Sequence, residues 1–336
     1  MTKLKSIRCL VTGGAGYIGS HVVDALRAAG ATVTVLDNFY SGHRWAVPDT
    51  PIVEGDVGNA SLLTSMLSNC RFDAVLHFAG HIWVGESIRF PSKYYRNNTK
   101  NSIELFAACY AHGIHNIIFS STAAVYGSPT TVPIVETAPL VPINPYGTSK
   151  MMAERVLQDL APAHGAHGAI LRYFNVAGAH DQGHLGEATP TNSHLIKVAC
   201  ETAMGLRPRM HINGDTYPTT DGTCVRDYVH VQDLAEAHVA TLAHLLEEQP
   251  DTVEVMNCGY GHGYSVREVL DAFRRVTGTD LAPVVKAPRR GDPPVLVADN
   301  RKILDRLDWR PRRDDLELII RSAWRWEQQL QGMVGA

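Results

Sequence analysis

Residues 11–21 read VTGGAGYIGSH, and the placing of Gly13, Gly16 and Gly19 in that stretch decides the fold. The segment lies between an apolar run at 8–12 (RCLVT) and a helical pattern at 17–29, where Val22, Val23, Leu26 and Ala29 form one stripe. In a strand–turn–helix of this kind one glycine allows the tight turn and a second lets a pyrophosphate approach the backbone. The third lets helix and strand pack closely. The helix start then offers unpaired N–H groups and a positive dipole end to the phosphates. Asp37 ends the next β-branched run, TVTVLD, about 20 residues on, where a carboxylate binds ribose hydroxyls and repels a 2′-phosphate. The stretch therefore predicts a dinucleotide site that prefers NAD to NADP.

Outward from the glycine turn, short apolar runs at 32–36, 52–54, 74–78, 116–121 and 169–173 alternate with helical patterns that include 97–111 and 145–160. Continuously apolar strands separated by helices predict an α/β, Rossmann-like, doubly wound parallel sheet covered on both faces. The rhythm loosens after Tyr173. Residues 178–194 and 205–223 read as loops, 224–230 as a strand, 231–246 as a helix, 253–257 as a strand, and a helix starts at 266. The expected division is a Rossmann domain at 1–177 and a smaller nucleotide-sugar lobe at 178–336, with the chain crossing back near 224–257.

The chain has 336 residues, 45% hydrophobic and 19% charged, with 31 Lys plus Arg against 34 Asp plus Glu. That balance supports a sizeable core and carries no basic footprint for nucleic acid. No apolar run approaches the roughly 18 residues a membrane span requires, and the N-terminus reads as a strand rather than an export signal. A cytoplasmic location is expected, with six scattered cysteines reduced. His180, His184 and His194 match no zinc spacing, so no metal is expected.

Tyr146 and Lys150 stand four apart in INPYGTSK, with Asn144 suited to cap a helix and Pro145 to begin it. A phenol at about 10 must fall by roughly 3 pKa units, about 4 kcal/mol, to act as a base near neutrality. One positive charge about 4 Å away at an effective dielectric of about 20 supplies that much. Lys150 is accordingly expected to lower the pKa of Tyr146. Thr122 ends a strand at the carboxyl edge of the sheet, where ligands bind, and offers a hydroxyl to the reacting oxygen.

These motifs resemble the extended short-chain dehydrogenase/reductase superfamily and, within it, the family of UDP-glucose (UDP-galactose) 4-epimerases. The likeness extends to EGDV (54–57), LHFAG (76–80), VGES (84–87), YYRNN (94–98), FSSTAAVYG (119–127) and LRYFNVAGAH (171–180). It continues through YPTTDGTCVRDYVHVQDLAEAHV (217–239) and APRRGDPP (287–294). The resemblance implies tightly held NAD that is recycled in each turnover, a homodimer, and inversion at C4 of a UDP-hexose through a 4-keto sugar. Tyr146, Lys150 and Thr122 would be catalytic. Cofactor contacts would fall on Gly13, Gly16, Tyr17, Ile18, Gly19, Asp37, Asn38, Asp56, Val57, Phe78, Ala79, Gly80, Asn98, Tyr146, Lys150 and Phe174. Substrate contacts would fall on Thr122, Tyr146, Asn175, His194, Leu195, Asn213, Arg226, Arg290 and Asp292.

Ala123 and Ala124 cannot transfer protons, unlike the acids that related dehydratases need beside the hydroxyl residue. Against the family pattern, Ile82 replaces a lysine, His194 an asparagine and Asn213 an aromatic residue, while Leu296 falls where sugar breadth is tuned. The alternatives are a 4-epimerase of UDP-xylose, UDP-arabinose or UDP-N-acetylglucosamine, a non-catalytic NAD-binding protein, or an oxidoreductase that releases NADH.

Overall fold

The strand Arg8–Thr12 is buried at four of its five positions, which requires cover on both faces. The computed structural model, which describes residues 4–190, 192–289 and 291–334, supplies that cover. Seven strands form one parallel sheet in the order Glu254–Cys258, His167–Tyr173, Asn116–Thr122, Ala74–His77, Arg8–Thr12, Thr32–Asp37, Ile52–Glu54. This is a doubly wound α/β fold, and the order reverses between Arg8–Thr12 and Ala74–His77. The carboxyl ends of those two strands, with Thr12 opposite His77, open the crevice in which such sheets bind ligands.

Alternation along the strands divides the core. Leu10, Leu36, Val75, Ile117, Phe119 and Ile170 point to one face, among Leu63, Leu105, Phe106 and Leu157 of the helices Ala60–Asn69, Asn101–Ala111 and Pro145–Ala163. Cys9, Val11, Val35, Leu76, Ile118 and Leu171 point to the other, among Val22 and Leu26 of Tyr17–Ala28 and Leu234 and Leu242 of Val231–Glu248. Burial on both faces explains why these strands read as unbroken apolar runs.

Three local readings change. The expected strand at 224–230 is two: Val225–Arg226 pairs with Tyr264–Ser265 and Val295–Leu296, while Tyr228–His230 pairs with Asn175–Ala177. The break is Asp227, whose buried carboxylate accepts the backbone N–H groups of Tyr260 (2.9 Å), Gly261 (3.0 Å) and Ala298 (3.2 Å). The helix expected at 97–111 begins with a wide π turn, Tyr95–Lys100, before Asn101–Ala111. The loop expected at 205–223 contains a strand, His211–Asn213, parallel to Val284–Lys286. Among the described residues no helix is long and apolar enough to cross a membrane. The six cysteines are unpaired, and only Cys70 of them is exposed.

Candidate active site

The glycine turn is held shut by its neighbours. Gly13 has φ +69°, donates its N–H to the Leu36 carbonyl (2.8 Å), and would place a Cβ 2.5 Å from the amide nitrogen of Ala79. A Cβ on Gly19 would run into the Gly13 carbonyl, so the helix start lies directly on the turn. Gly16 caps the helix Tyr17–Ala28 without a side chain, and the first turn contains no acid. The N–H groups there, those of Tyr17 and Ile18 included, have no intrahelical acceptor and fit an anionic pyrophosphate. The Tyr17 hydroxyl is used elsewhere, donating to the Gly178 carbonyl (2.6 Å).

Asp37, 7% exposed, accepts from Ala15 N–H (2.9 Å) and Phe39 N–H (2.8 Å). Burial raises its carboxyl pKa, and the two amides offset part of that rise. The same carboxylate thus fixes the glycine turn and presents its remaining lone pairs to the crevice. Asn38 donates to Asp56 (3.0 Å), which also accepts from Gly58 N–H (2.7 Å) and the Asn101 amide (2.9 Å); Val57 is buried beside them. Asn101 carries no motif of its own, and only its position at the start of a helix marks it. Asp37→Ser is expected to weaken NAD binding about tenfold or more and to narrow the preference over NADP, because a charged acceptor contributes about 1.5–3 kcal/mol. Fluorescence titration with both dinucleotides measures this.

The cradle runs into a second cluster. Ala79 touches the glycine turn, and a Cβ on Gly80 would lie 3.4 Å from Lys150 Nζ and 3.2 Å from Asn98 Oδ1. Asn98, 1% exposed, accepts from His81 N–H (2.8 Å) and donates to the His81 carbonyl (2.9 Å) and to Ser149 Oγ (3.1 Å). The helix Pro145–Ala163 starts as its sequence dictates, with Asn144 Oδ1 accepting from Gly147 N–H (2.9 Å) and Pro145 in the first turn. Tyr146 therefore faces the end of the strand Asn116–Thr122, with the Thr122 hydroxyl as its polar neighbour there. Thr122 Oγ1 accepts from Ala124 N–H (3.1 Å), which leaves its own proton free to donate.

Lys150 is 3% exposed, and its ammonium donates to the Ser120 carbonyl (2.9 Å) and lies 4.8 Å from the Phe119 ring centroid. Burial brings its pKa down to about 8, against the pull of Glu154. For Tyr146, burial raises the pKa and the neighbouring Thr122 hydroxyl opposes that rise. Four residues along a helix bring the two side chains to one face, and from there the ammonium reaches the strand carbonyl.

The candidate substrate residues fall into two groups. Asn175, His194 and Leu195 line a cleft with Glu187, Tyr228 and Trp326. His194 Nδ1 lies 2.7 Å from Glu187; burial pulls the imidazole pKa down, and the carboxylate more than restores it. Phe174 packs with Ala123, Tyr126, Leu296 and Ala298, which brings position 296 to the segment after Thr122. Arg226 donates to Asp292 (3.2 Å) and to its own preceding carbonyl at Val225 (2.9 Å), so these two candidates meet as an ion pair. Asn213 ends its strand opposite Lys286. Arg290 lies outside the described residues.

A family model for the NAD dependent epimerase/dehydratase family matches residues 9–259. A UDP-glucose 4-epimerase of Azospirillum brasilense is 53% identical over 331 residues, spanning 98% of this chain and 94% of that protein. The structure of UDP-glucose 4-epimerase from Brucella ovis in complex with NAD aligns with a TM-score of 0.90 at 42% identity, over 95% of this chain and 98% of that one. The UDP-glucose 4-epimerase from Bifidobacterium longum in complex with NAD+ and UDP gives 0.90 at 36% identity, over 96% and 98%.

Proposed function

The chain belongs to the NAD dependent epimerase/dehydratase family, and we propose that it inverts C4 of a UDP-hexose, interconverting UDP-glucose and UDP-galactose through a transient 4-keto sugar. Bound NAD supplies the acceptor, and later the donor, of the C4 hydride. Tyr146 removes the proton of the 4-hydroxyl and returns it after the keto sugar has turned over in the cleft. Thr122 hydrogen-bonds the same oxygen and shares its proton with Tyr146. Lys150 sets a buried positive charge behind the pair, the sign that favours a phenolate.

One observation supports this reading above the others: Tyr146 neighbours Thr122 at the carboxyl edge of the sheet, and Lys150 on the same helix brings its Nζ to within 3.4 Å of where a Cβ on Gly80 would stand, next to Ala79 and the glycine turn. Ala123 and Ala124 follow it, so no acid is placed for elimination of water. We read 1–177 as the cofactor-holding part and 178–336 as the part that grips the nucleotide. A homodimer is proposed through the helices Asn101–Ala111 and Pro145–Ala163, which leave Ile103 (39%) and Met152 (42%) exposed.

The test is incubation of purified protein, without added NAD, with UDP-glucose, UDP-galactose, UDP-N-acetylglucosamine, UDP-xylose and UDP-arabinose. UDP-galactose is expected to reach equilibrium with UDP-glucose while no NADH accumulates. A higher kcat/KM on the pentose pair moves the substrate to UDP-xylose and UDP-arabinose. Accumulating NADH with an oxidised sugar, or no C4 exchange on any substrate, overturns the proposal.

A further inference from the structure

Asp24 lies on the helix Tyr17–Ala28, and the loop beyond Ala177 lays His180 and His184 against it. His180 Nε2 is 3.4 Å from one Asp24 carboxylate oxygen and His184 Nε2 is 3.5 Å from the other. The two imidazole centroids are 4.0 Å apart, and the donor atoms all lie within 4.8 Å of one another. These N···O separations exceed the ~2.7–3.2 Å of a good hydrogen bond. In a coordination tetrahedron, bonds of about 2.0–2.1 Å to nitrogen and about 2.0–2.2 Å to oxygen set ligand atoms about 3.4 Å apart; here each nitrogen stands at that range from a different oxygen of Asp24, so a turn of the carboxylate brings one oxygen to both.

We propose that Asp24, His180 and His184 form a binding site for a divalent transition metal of the zinc class, with water completing the tetrahedron. Two imidazoles and one carboxylate select Zn²⁺, Co²⁺ or Ni²⁺ over Mg²⁺ and Ca²⁺, which take oxygen ligands. His180 and His184 have 12% and 43% exposed side chains and Asp24 42%, so the ion enters from solvent. Asp181 does not compete, being held by Arg313 at 2.8 Å. His194, the third histidine of the stretch, lies on Glu187 instead.

Coordination also requires a local change. His180 Nδ1 accepts from Gln182 N–H (3.1 Å), and binding through Nε2 places the ring proton on Nδ1, so that amide must swing away. The adjustment falls within the turn 180–183, which contains Gly183 at φ +79°, and it reduces affinity relative to a preformed site. The bound ion would cross-link the nucleotide-binding helix to the loop that leads into Glu187 and the substrate cleft.

Isothermal titration of the full-length holoprotein with Zn²⁺, and visible absorption on titration with Co²⁺, test the proposal. One site with a tetrahedral Co²⁺ spectrum is expected, together with a Tm raised by Zn²⁺. His184→Ala and Asp24→Asn should each weaken binding about tenfold or more and abolish the Tm rise. His262→Ala, which removes an exposed histidine paired with a single carboxylate, Asp314, should bind as the unmodified protein does. No binding by the unmodified protein, or equal affinity in His184→Ala and Asp24→Asn, overturns it.

Discussion

Tyr146→Phe is expected to lower turnover by about 10³–10⁴-fold while the protein keeps its NAD and its Tm, because positioned proton transfer contributes about 10²–10⁴-fold. The substitution removes one oxygen and leaves the ring, whose edge packs 6.4 Å (centroid to centroid) from Tyr94. Its neighbour Thr122 retains its bond to Ala124 N–H. Cofactor retention, read by absorbance of the denatured supernatant, separates a lost base from a lost cradle. Turnover near that of the unmodified protein would assign the base elsewhere.

The pH profile adds a signed expectation. Lys150 loses its proton near 8, and with it the positive field behind the phenol. If that charge supports the phenolate, kcat/KM falls as pH rises through about 8. A buried lysine that served only packing would leave the profile flat there.

Legibility in the sequence followed the range of the interactions. The glycine turn, Asp37 and the Asn144–Pro145–Tyr146 helix start are set by neighbours a few residues away, and local spacing specifies them. Spacing puts the ammonium of Lys150 on the Tyr146 face of its helix, but its bond to the Ser120 carbonyl is not legible, because that carbonyl belongs to another element 30 residues earlier. Asp227 carries no sign in the sequence that its carboxylate gathers amides from residues 260, 261 and 298, so the two short strands beside it read as one. Asp24 is equally invisible as a neighbour of His180 and His184. A spacing rule for metal ligands sees only residues close in sequence, and Asp24 belongs to a helix far earlier in the chain than the two histidines. In each case the missing information was a pairing between distant elements.

The largest such pairing lies under the catalytic edge and sets up the second strong effect. Glu154, one turn beyond Lys150, is 1% exposed and is bonded by Arg172, whose side chain is 3% exposed, through Nε (3.0 and 3.1 Å) and Nη2 (2.5 Å). Ser121, the residue before Thr122, donates to the same carboxylate. Arg172 Nη1 reaches the Tyr126 hydroxyl (3.1 Å) and the Glu136 carbonyl (3.1 Å), and Tyr126 donates to Asn257 (2.6 Å) at the edge strand Glu254–Cys258. Five elements therefore meet on one buried ion pair.

Arg172→Met removes the guanidinium and leaves the buried Glu154 without its counter-charge, a change that costs about 3–5 kcal/mol. In urea the midpoint should fall with the slope m unchanged. Adding Glu154→Leu to Arg172→Met should recover most of the lost stability, since an apolar pair replaces an ion pair at little net cost. It should not recover turnover in full, because Ser121 would lose the acceptor that fixes the strand end carrying Thr122. A double variant as unstable as Arg172→Met alone would show that the arginine acts through Tyr126 and Glu136 rather than through Glu154.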